Sequence, residues 1–168
     1  DAVSQMLIER GFDPQTMFSI YNGVDFTPRT PAMGREDYLR SVGLEAGADD
    51  VVFGIAARLN PVKDVATLIR GFALAAKEHP NIRLLIAGDG EDADMLKKLC
   101  DQLGVRGRVT FCGWVSPVEP FFRAMDINLL SSVSETFPYS ILEGVCAGCA
   151  TICSDVGGMP ELIDTGEN

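Results

Sequence analysis

The chain has 168 residues, 46% hydrophobic and 23% charged, with a mean hydropathy of +0.13. That composition describes one globular domain with a sizeable core and excludes a disordered tail, a collagen-like repeat and a small disulfide-stapled scaffold. Its 14 Lys and Arg against 24 Asp and Glu give a net charge of −10, which argues against a nucleic-acid binder and leaves any anionic ligand to a few well-placed cations. No apolar run is long enough to span a membrane, and the opening DAVSQMLIERG lacks the basic flank of a signal peptide. With five cysteines, these features predict a cytoplasmic protein in a reducing compartment. Cys146, Cys149 and Cys153 are close in sequence, but no second C-x-x-C pair exists and the one histidine, His79, is far away. These cysteines read as small buried residues rather than metal ligands.

The first 24 residues predict a helix and a strand over 17–21, followed by an Asn22-Gly23 turn. Residues 25–48, with prolines and charges, read as a linker. VVFGIAA over 51–57 is an apolar run suited to a strand buried on both faces. Asn60 and Pro61 then read as the N-cap and first position of a helix running to about Lys77, with Val65, Leu68, Ile69, Phe72 and Ala76 at helical spacing. IRLLIA over 82–87 is the next strand, closed by Gly88-Asp89-Gly90. A helix carrying Met95, Leu96, Leu99 and Leu103 follows, stopping near Gly104. A short strand over 109–111, a brief helix over 118–124 and the strand INLL over 127–130 come next. A polar loop, a helix over 139–147, a strand over 151–153 and a Gly-Gly turn complete the order, with Pro160 placed to open a last helix. Strand and helix alternate with short connections, so the fold class is α/β, a Rossmann-like doubly wound parallel sheet. The non-Met start and the turn-like close over 165–168 read as truncation at both ends.

Ligands of such sheets sit on the loops at the carboxyl ends of the strands. Four of these loops carry chemistry. In the first, Arg58 leaves a strand and Lys63 falls in the expected first helical turn, where it opposes the helix dipole; the two are either a di-anion site or ordinary surface cations. The second, Gly88-Asp89-Gly90-Glu91-Asp92-Ala93, matches a dinucleotide-binding G-x-G-x-x-A pattern, but its three carboxylates crowd the place of a pyrophosphate. In the third, Glu135 lies in a loop and Glu143 on the following helix, as an acid/base pair, as acceptors for vicinal sugar hydroxyls, or as a solvated acidic face. The fourth, Asp155 to Glu161, has paired glycines that either aim backbone N–H groups at a ligand or make a plain turn.

Together these loops resemble the retaining glycosyltransferases of the group 1 family (family 4). The resemblance is carried by NGVD at 22–25, GIAARLNPVKD at 54–64, LLIAGDGE at 84–91, VTFCGWV at 109–115, SETFPYSILEG at 134–144 and SDVGGMPELI at 154–163. It implies a GT-B fold, in which two Rossmann-like domains face each other across a cleft. By that likeness 1–24 would be the trailing helix and strand of an acceptor domain, 25–48 a linker, and 49–168 the donor-binding domain without its carboxyl-terminal part.

The resemblance further implies a nucleotide-sugar donor, by family frequency a UDP-sugar, and a sugar or lipid-linked acceptor. The catalytic residues would be Glu135, Arg58 and Lys63. Arg58 and Lys63 would hold the donor diphosphate in place of a metal, so neither metal nor cofactor is expected. Glu135 would accept from sugar hydroxyls and Glu143 from the ribose. Phe137, Pro138, Tyr139 and Leu142 would line the donor, and Gly113 and Trp114 would lie near the base. Asp64 departs from the pattern, standing where the family often has glycine and adding a negative charge beside the phosphate site. The fragment alone is expected to be inactive without its acceptor domain in cis, and peripheral membrane association of the whole protein stays open. Two alternatives remain at this stage: an NAD-dependent oxidoreductase built on the Gly88-Asp89-Gly90 turn, and a nucleotide-sugar 2-epimerase of the same fold.

Overall fold

A computed structural model describes residues 1–25, 27 and 33–163; the closing turn expected at 165–168 and part of the expected linker lie outside these residues. In chain order the elements are α1 (Ala2–Glu9), α2 (Arg35–Ser41), β1 (Val51–Ala56), α3 (Val65–Glu78), β2 (Ile82–Ala87), α4 (Ala93–Gln102), β3 (Val109–Gly113), α5 (Glu119–Ala124), β4 (Ile127–Leu130), α6 (Tyr139–Ala147) and β5 (Ala150–Cys153). The five strands form one sheet in the order β3-β2-β1-β4-β5, parallel throughout. The Rossmann-like α/β reading therefore holds. β1 pairs with β2 on one side, from Val51 opposite Ile82 to Ala56 opposite Ala87, and with β4 on the other.

The apolar strand runs follow from burial on both faces. Along β2, Leu84 and Ile86 point into a core with Ile55, Ile69, Phe72, Leu96 and Leu99, beneath α3 and α4. Leu85 and Ala87 point to the opposite core, with Val52, Phe121, Phe122 and Met125. Alternation thus supplies two layers, and the one charged residue of the strand, Arg83 near its start, is half-buried and paired with Asp50 at 3.0 Å. On α4 the buried residues are Leu96, Leu99 and Cys100, whereas Met95 and Leu103 face outward.

The structure departs from expectation in four places. Residues 17–21 form no strand, because among the described residues no sheet edge lies beside them; Phe18 and Ile20 point into solvent. The stretch expected as a linker contains α2, whose Tyr38 and Leu39, with the following Leu44, are buried against Val52, Leu85 and Phe121. The spacing of Tyr38, Leu39 and Val42 carried that helix, masked by the flanking prolines and charges. Pro160 opens a single 3-10 turn, Met159–Glu161, rather than a helix over the described residues. Fourth, α3 begins at Val65, several residues later than Asn60 and Pro61 suggested.

α2 is tied to the sheet by one ion pair. Arg35 donates from Nη1 and Nη2 to the two oxygens of Asp126 at 2.8 Å each, and Asp126 Oδ2 also accepts the Val52 N–H at 2.8 Å. Burial is the largest single influence on the Asp126 carboxyl and opposes its ionisation. The Arg35 hydrogen bonds, the Val52 N–H and the Arg35 charge together outweigh it and hold the group below the ordinary aspartate value.

Asp126→Ala is therefore expected to destabilise the fold at pH 7 by about 1–2 kcal/mol, chiefly by orphaning the Val52 N–H. Because the folded-state pKa is depressed, the wild-type advantage is full above the unfolded aspartate value and is lost as pH falls through the folded one. Urea unfolding at pH 7 and pH 3 checks this: the gap between the two proteins is larger at pH 7 and narrows in acid, as the charge-dependent part of the Asp126 contacts is lost.

Candidate functional site

The loops at the carboxyl ends of β1, β2, β4 and β5 meet at one end of the sheet. β1 is flanked by β2 and β4, so the chain winds outward in both directions from it, and its exit loop (57–64) lies against the exit loop of β4 (131–138). The contact is specific. Val133 N–H donates to the Val62 carbonyl at 2.9 Å, and Ser131 Oγ lies 2.9 Å from the Lys63 carbonyl and 3.0 Å from that of Asp64.

Asn60 and Pro61 open a turn instead of a helix: Lys63 N–H is bonded to Asn60 O at 3.1 Å and to Asn60 Oδ1 at 3.2 Å. Lys63 therefore precedes α3 and is free of the expected conflict with the helix dipole. Asp64 is the N-cap, with φ +41° and ψ +48°, and its carboxylate accepts the Thr67 N–H at 3.3 Å. It is the only described non-glycine residue with positive φ. Aspartate suits the position, because Asx side chains tolerate the left-handed region better than most and this one also caps the helix. Its charge is engaged at α3.

Of the expected site residues, Lys63 and Glu135 form an ion pair across the two loops. The Glu135 side chain is 8% exposed and that of Lys63 24%. Ser132 Oγ donates to the same carboxylate oxygen, Oε1, at 2.6 Å. Sequence reasoning missed Ser132, although an S-x-x-E spacing is a known side-chain pairing signal. The backbone of Glu135 rests on the β5 exit loop: a Cβ on Gly157 would stand 1.8 Å from the Glu135 carbonyl oxygen, so only glycine fits there.

Arg58, Trp114 and Glu143 come together along a cleft of about 370 Å³ that also takes in Gly88 and Val115. Arg58 is exposed and has no carboxylate partner among the described residues. Trp114 is 83% exposed, an apolar ring with no packing reason to be there. Glu143 is half-buried on α6, and burial alone pushes its carboxyl above the ordinary glutamate value.

Gly113 is bonded through its carbonyl to Gly88 N–H at 2.7 Å and sits behind Trp114. Tyr139 and Glu143 border a second cavity of about 670 Å³ with Asp25, Glu119 and Arg123. Phe137 turns the other way, its ring 5.1 Å from that of Tyr21, while its carbonyl accepts from Asn22 Nδ2 at 2.6 Å. Ile141 is the α6 residue in the core, and Leu142 is half-buried beside it. Pro138 is the N-cap of α6, so no side chain caps that helix.

The G-x-G-x-x-A turn has a structural role. A Cβ on Gly88 would lie 1.8 Å from Ala57 O, and one on Gly90 2.1 Å from Leu59 O. Leu59 N–H donates to Asp89 O at 2.9 Å, and Asp92 N–H donates to Leu59 O at 3.1 Å. The Leu59 backbone thus packs directly on this turn, whose glycines serve the contact between two loops, and the oxidoreductase alternative is not favoured. Among the described residues no group of three or more His, Cys, Asp and Glu is placed to hold a metal, and no helix is long and apolar enough to cross a membrane.

A family model described as glycosyl transferases group 1 matches residues 42–168. An uncharacterised glycosyltransferase, MJ1607, of Methanocaldococcus jannaschii is 34% identical over 149 residues, covering 86% of this chain and 37% of that protein. Among solved structures, Anabaena HepE in complex with UDP-glucose superposes with a TM-score of 0.86 at 26% identity, over 97% of this chain and 45% of that one. The C-terminal domain of a group 1 family protein, LpcC, from Francisella tularensis superposes with a TM-score of 0.73 at 26% identity, over 87% of this chain and 77% of that one. The chain thus spans less than half of MJ1607 and of HepE.

The Asp64 geometry predicts an order of variants. Asp64→Ala loses the cap and places alanine in the left-handed region, for about 2 kcal/mol in all, whereas Asp64→Gly stays within about 0.5 kcal/mol of wild type. Thermal or urea unfolding of the two decides it; equal losses would refute the account of this position.

Proposed function

The chain belongs to the group 1 glycosyl transferases, and on that premise we propose that it is the nucleotide-sugar-binding part of a retaining, metal-independent transferase whose donor is a UDP-sugar. The observation that carries the reading is the meeting of Arg58, Trp114 and Glu143 on one cleft, beside a loop pair that presents Lys63 and Glu135. HepE, bound to UDP-glucose in its crystal, supports UDP as the nucleotide.

The chemistry follows from charge. Breaking the anomeric C–O bond puts negative charge on the departing diphosphate and positive charge on the sugar. Arg58 and Lys63 take up the diphosphate charge, as a metal would, and the uncapped N-terminus of α6 adds backbone N–H groups at Tyr139 and Ser140. Glu135 accepts from sugar hydroxyls. Glu143 accepts from the ribose hydroxyls, each charged hydrogen bond contributing roughly 1.5–3 kcal/mol. Trp114 supplies an aromatic face for the base. The acceptor, a sugar or a lipid-linked sugar, binds to a facing unit, and transfer belongs to the whole protein.

Calorimetric titration with UDP, GDP and NADH in the absence of metal tests the reading. UDP is expected to bind, and Arg58→Ala/Lys63→Ala to lose it by at least a hundredfold; NADH binding without UDP binding would overturn the proposal.

Glu143 gives a second test. Its raised pKa means that the native state holds this proton more tightly than the unfolded chain. Its contribution to stability therefore falls as pH rises through that window and is unfavourable at pH 7. Glu143→Gln should keep or raise Tm at neutral pH while weakening UDP about tenfold, and wild-type affinity should fall on acidification where that of the variant does not.

A further inference from the structure

Ser132 is one of only two buried polar or charged residues among those described, at 1% exposure. It stands between two requirements that the proposed donor site imposes on one carboxylate. Glu135 Oε1 takes both the Lys63 ammonium and the Ser132 hydroxyl. A donor diphosphate needs Lys63 for itself, and the sugar needs Glu135 ionised and in place. Once Lys63 leaves, a carboxylate as enclosed as Glu135 keeps its position only if another donor remains.

We propose that Ser132 is a positioning residue that retains the Glu135 carboxylate while Lys63 passes from it to the diphosphate of a nucleotide-sugar, so that engagement of the diphosphate frees Glu135 for the sugar. The inference rests on the donor-site reading above.

The surroundings are built for a side-chain exchange with the backbone held still. Lys63 is fixed at its N–H by Asn60 and at its carbonyl by Ser131 Oγ, leaving the four-carbon side chain as the moving part. Ser132 is fixed at its carbonyl by Ser154 Oγ at 2.6 Å. The Glu135 backbone lies on the Cα of Gly157. In this arrangement Glu135 competes with the diphosphate for Lys63, and Ser132 weakens the competition by sharing the same oxygen.

Two substitutions move UDP affinity in opposite directions. Glu135→Gln removes the competitor, so UDP should bind about tenfold more tightly, or ~1.4 kcal/mol, while the extra affinity that UDP-glucose has over UDP disappears. Ser132→Ala leaves every charge unchanged, yet Glu135 then leans on Lys63 alone, so UDP should bind about fivefold more weakly. A simple repulsion between Glu135 and phosphate predicts the first effect without the second.

The experiment is calorimetric titration of wild type and both variants with UDP and UDP-glucose at one pH and salt, with thermal melting alongside. Opposite shifts support the proposal. Unchanged UDP affinity in a folded Ser132→Ala, or no tightening in Glu135→Gln, overturns it while the donor-site reading stands. Should Ser132→Ala not fold, Ser132→Cys takes its place, since it keeps the size but offers only a weak donor to Glu135: weaker UDP binding supports the proposal and unchanged affinity overturns it. Absence of UDP binding to wild type refutes both readings together.

Discussion

Parallel pairing of β1 to β2 on one side and β4 on the other is the constraint from which the site follows. A strand paired this way in the middle of the sheet sends its exit loop to the same end as those of its neighbours. The loops after β2 and β4 must therefore crowd the loop after β1. Contact between loop backbones is possible only where side chains are absent or where carbonyls find donors. Gly88 and Gly90 meet the first condition against Ala57 and Leu59, and Ser131 meets the second against Lys63 and Asp64. The glycines that look like a nucleotide fingerprint are, in this chain, the means by which two loops close on each other.

Charge at this end of the molecule is left partly unmatched, as it also is at exposed Arg70, Lys77 and Lys98 among the described residues. Several cations are committed to carboxylates elsewhere: Arg35 to Asp126, Arg83 to Asp50, Arg123 to Glu119. At the strand ends the matching is incomplete. Arg58 has no carboxylate partner among the described residues, and the half-buried Glu143 carries an unfavourable burial contribution with no cation against it. Burial of Glu143 without a compensating cation disfavours its charged form, whereas the exposed Arg58 keeps its hydration.

Much of the fold was legible because the core strands are buried on both faces, and the helices between them are amphipathic at the correct period. INLL and the helix at 139–147 were placed to the residue. What failed were positions where side-chain chemistry imitates a different signal. Asn60-Pro61 has the composition of a helix start but makes a turn, because Asp64 caps the helix from a left-handed conformation that sequence alone does not reveal. α2 was hidden because its polar first turn, Arg35 to Asp37, resembles the linker before it. The strand expected at 17–21 was inferred from residue type, and pairing partners are a property of the fold. Within the site the residue types were readable, but the ion pair between Lys63 and Glu135 was not, because it depends on how the exit loops of β1 and β4 meet in space.

That pairing changes what the loop at 131–138 has to be. A loop carrying an enclosed carboxylate must hold its shape whether or not a ligand is present, since stabilisation of developing charge depends on groups that need no rearrangement at the moment of reaction. The chain fastens this loop from several directions. Ser131 and Val133 tie it to the β1 exit, Ser154 and Gly157 support it from the β5 exit, and Asn22 holds the Phe137 carbonyl from the amino-terminal segment. Tyr21 completes this last attachment, stacking on Phe137 while its hydroxyl donates to Glu161 at 2.9 Å. The amino-terminal residues are thus part of the framework that sets the loop. Residues 21 and 22 thereby bear on the Phe137 carbonyl and ring, two residues along the backbone from Glu135.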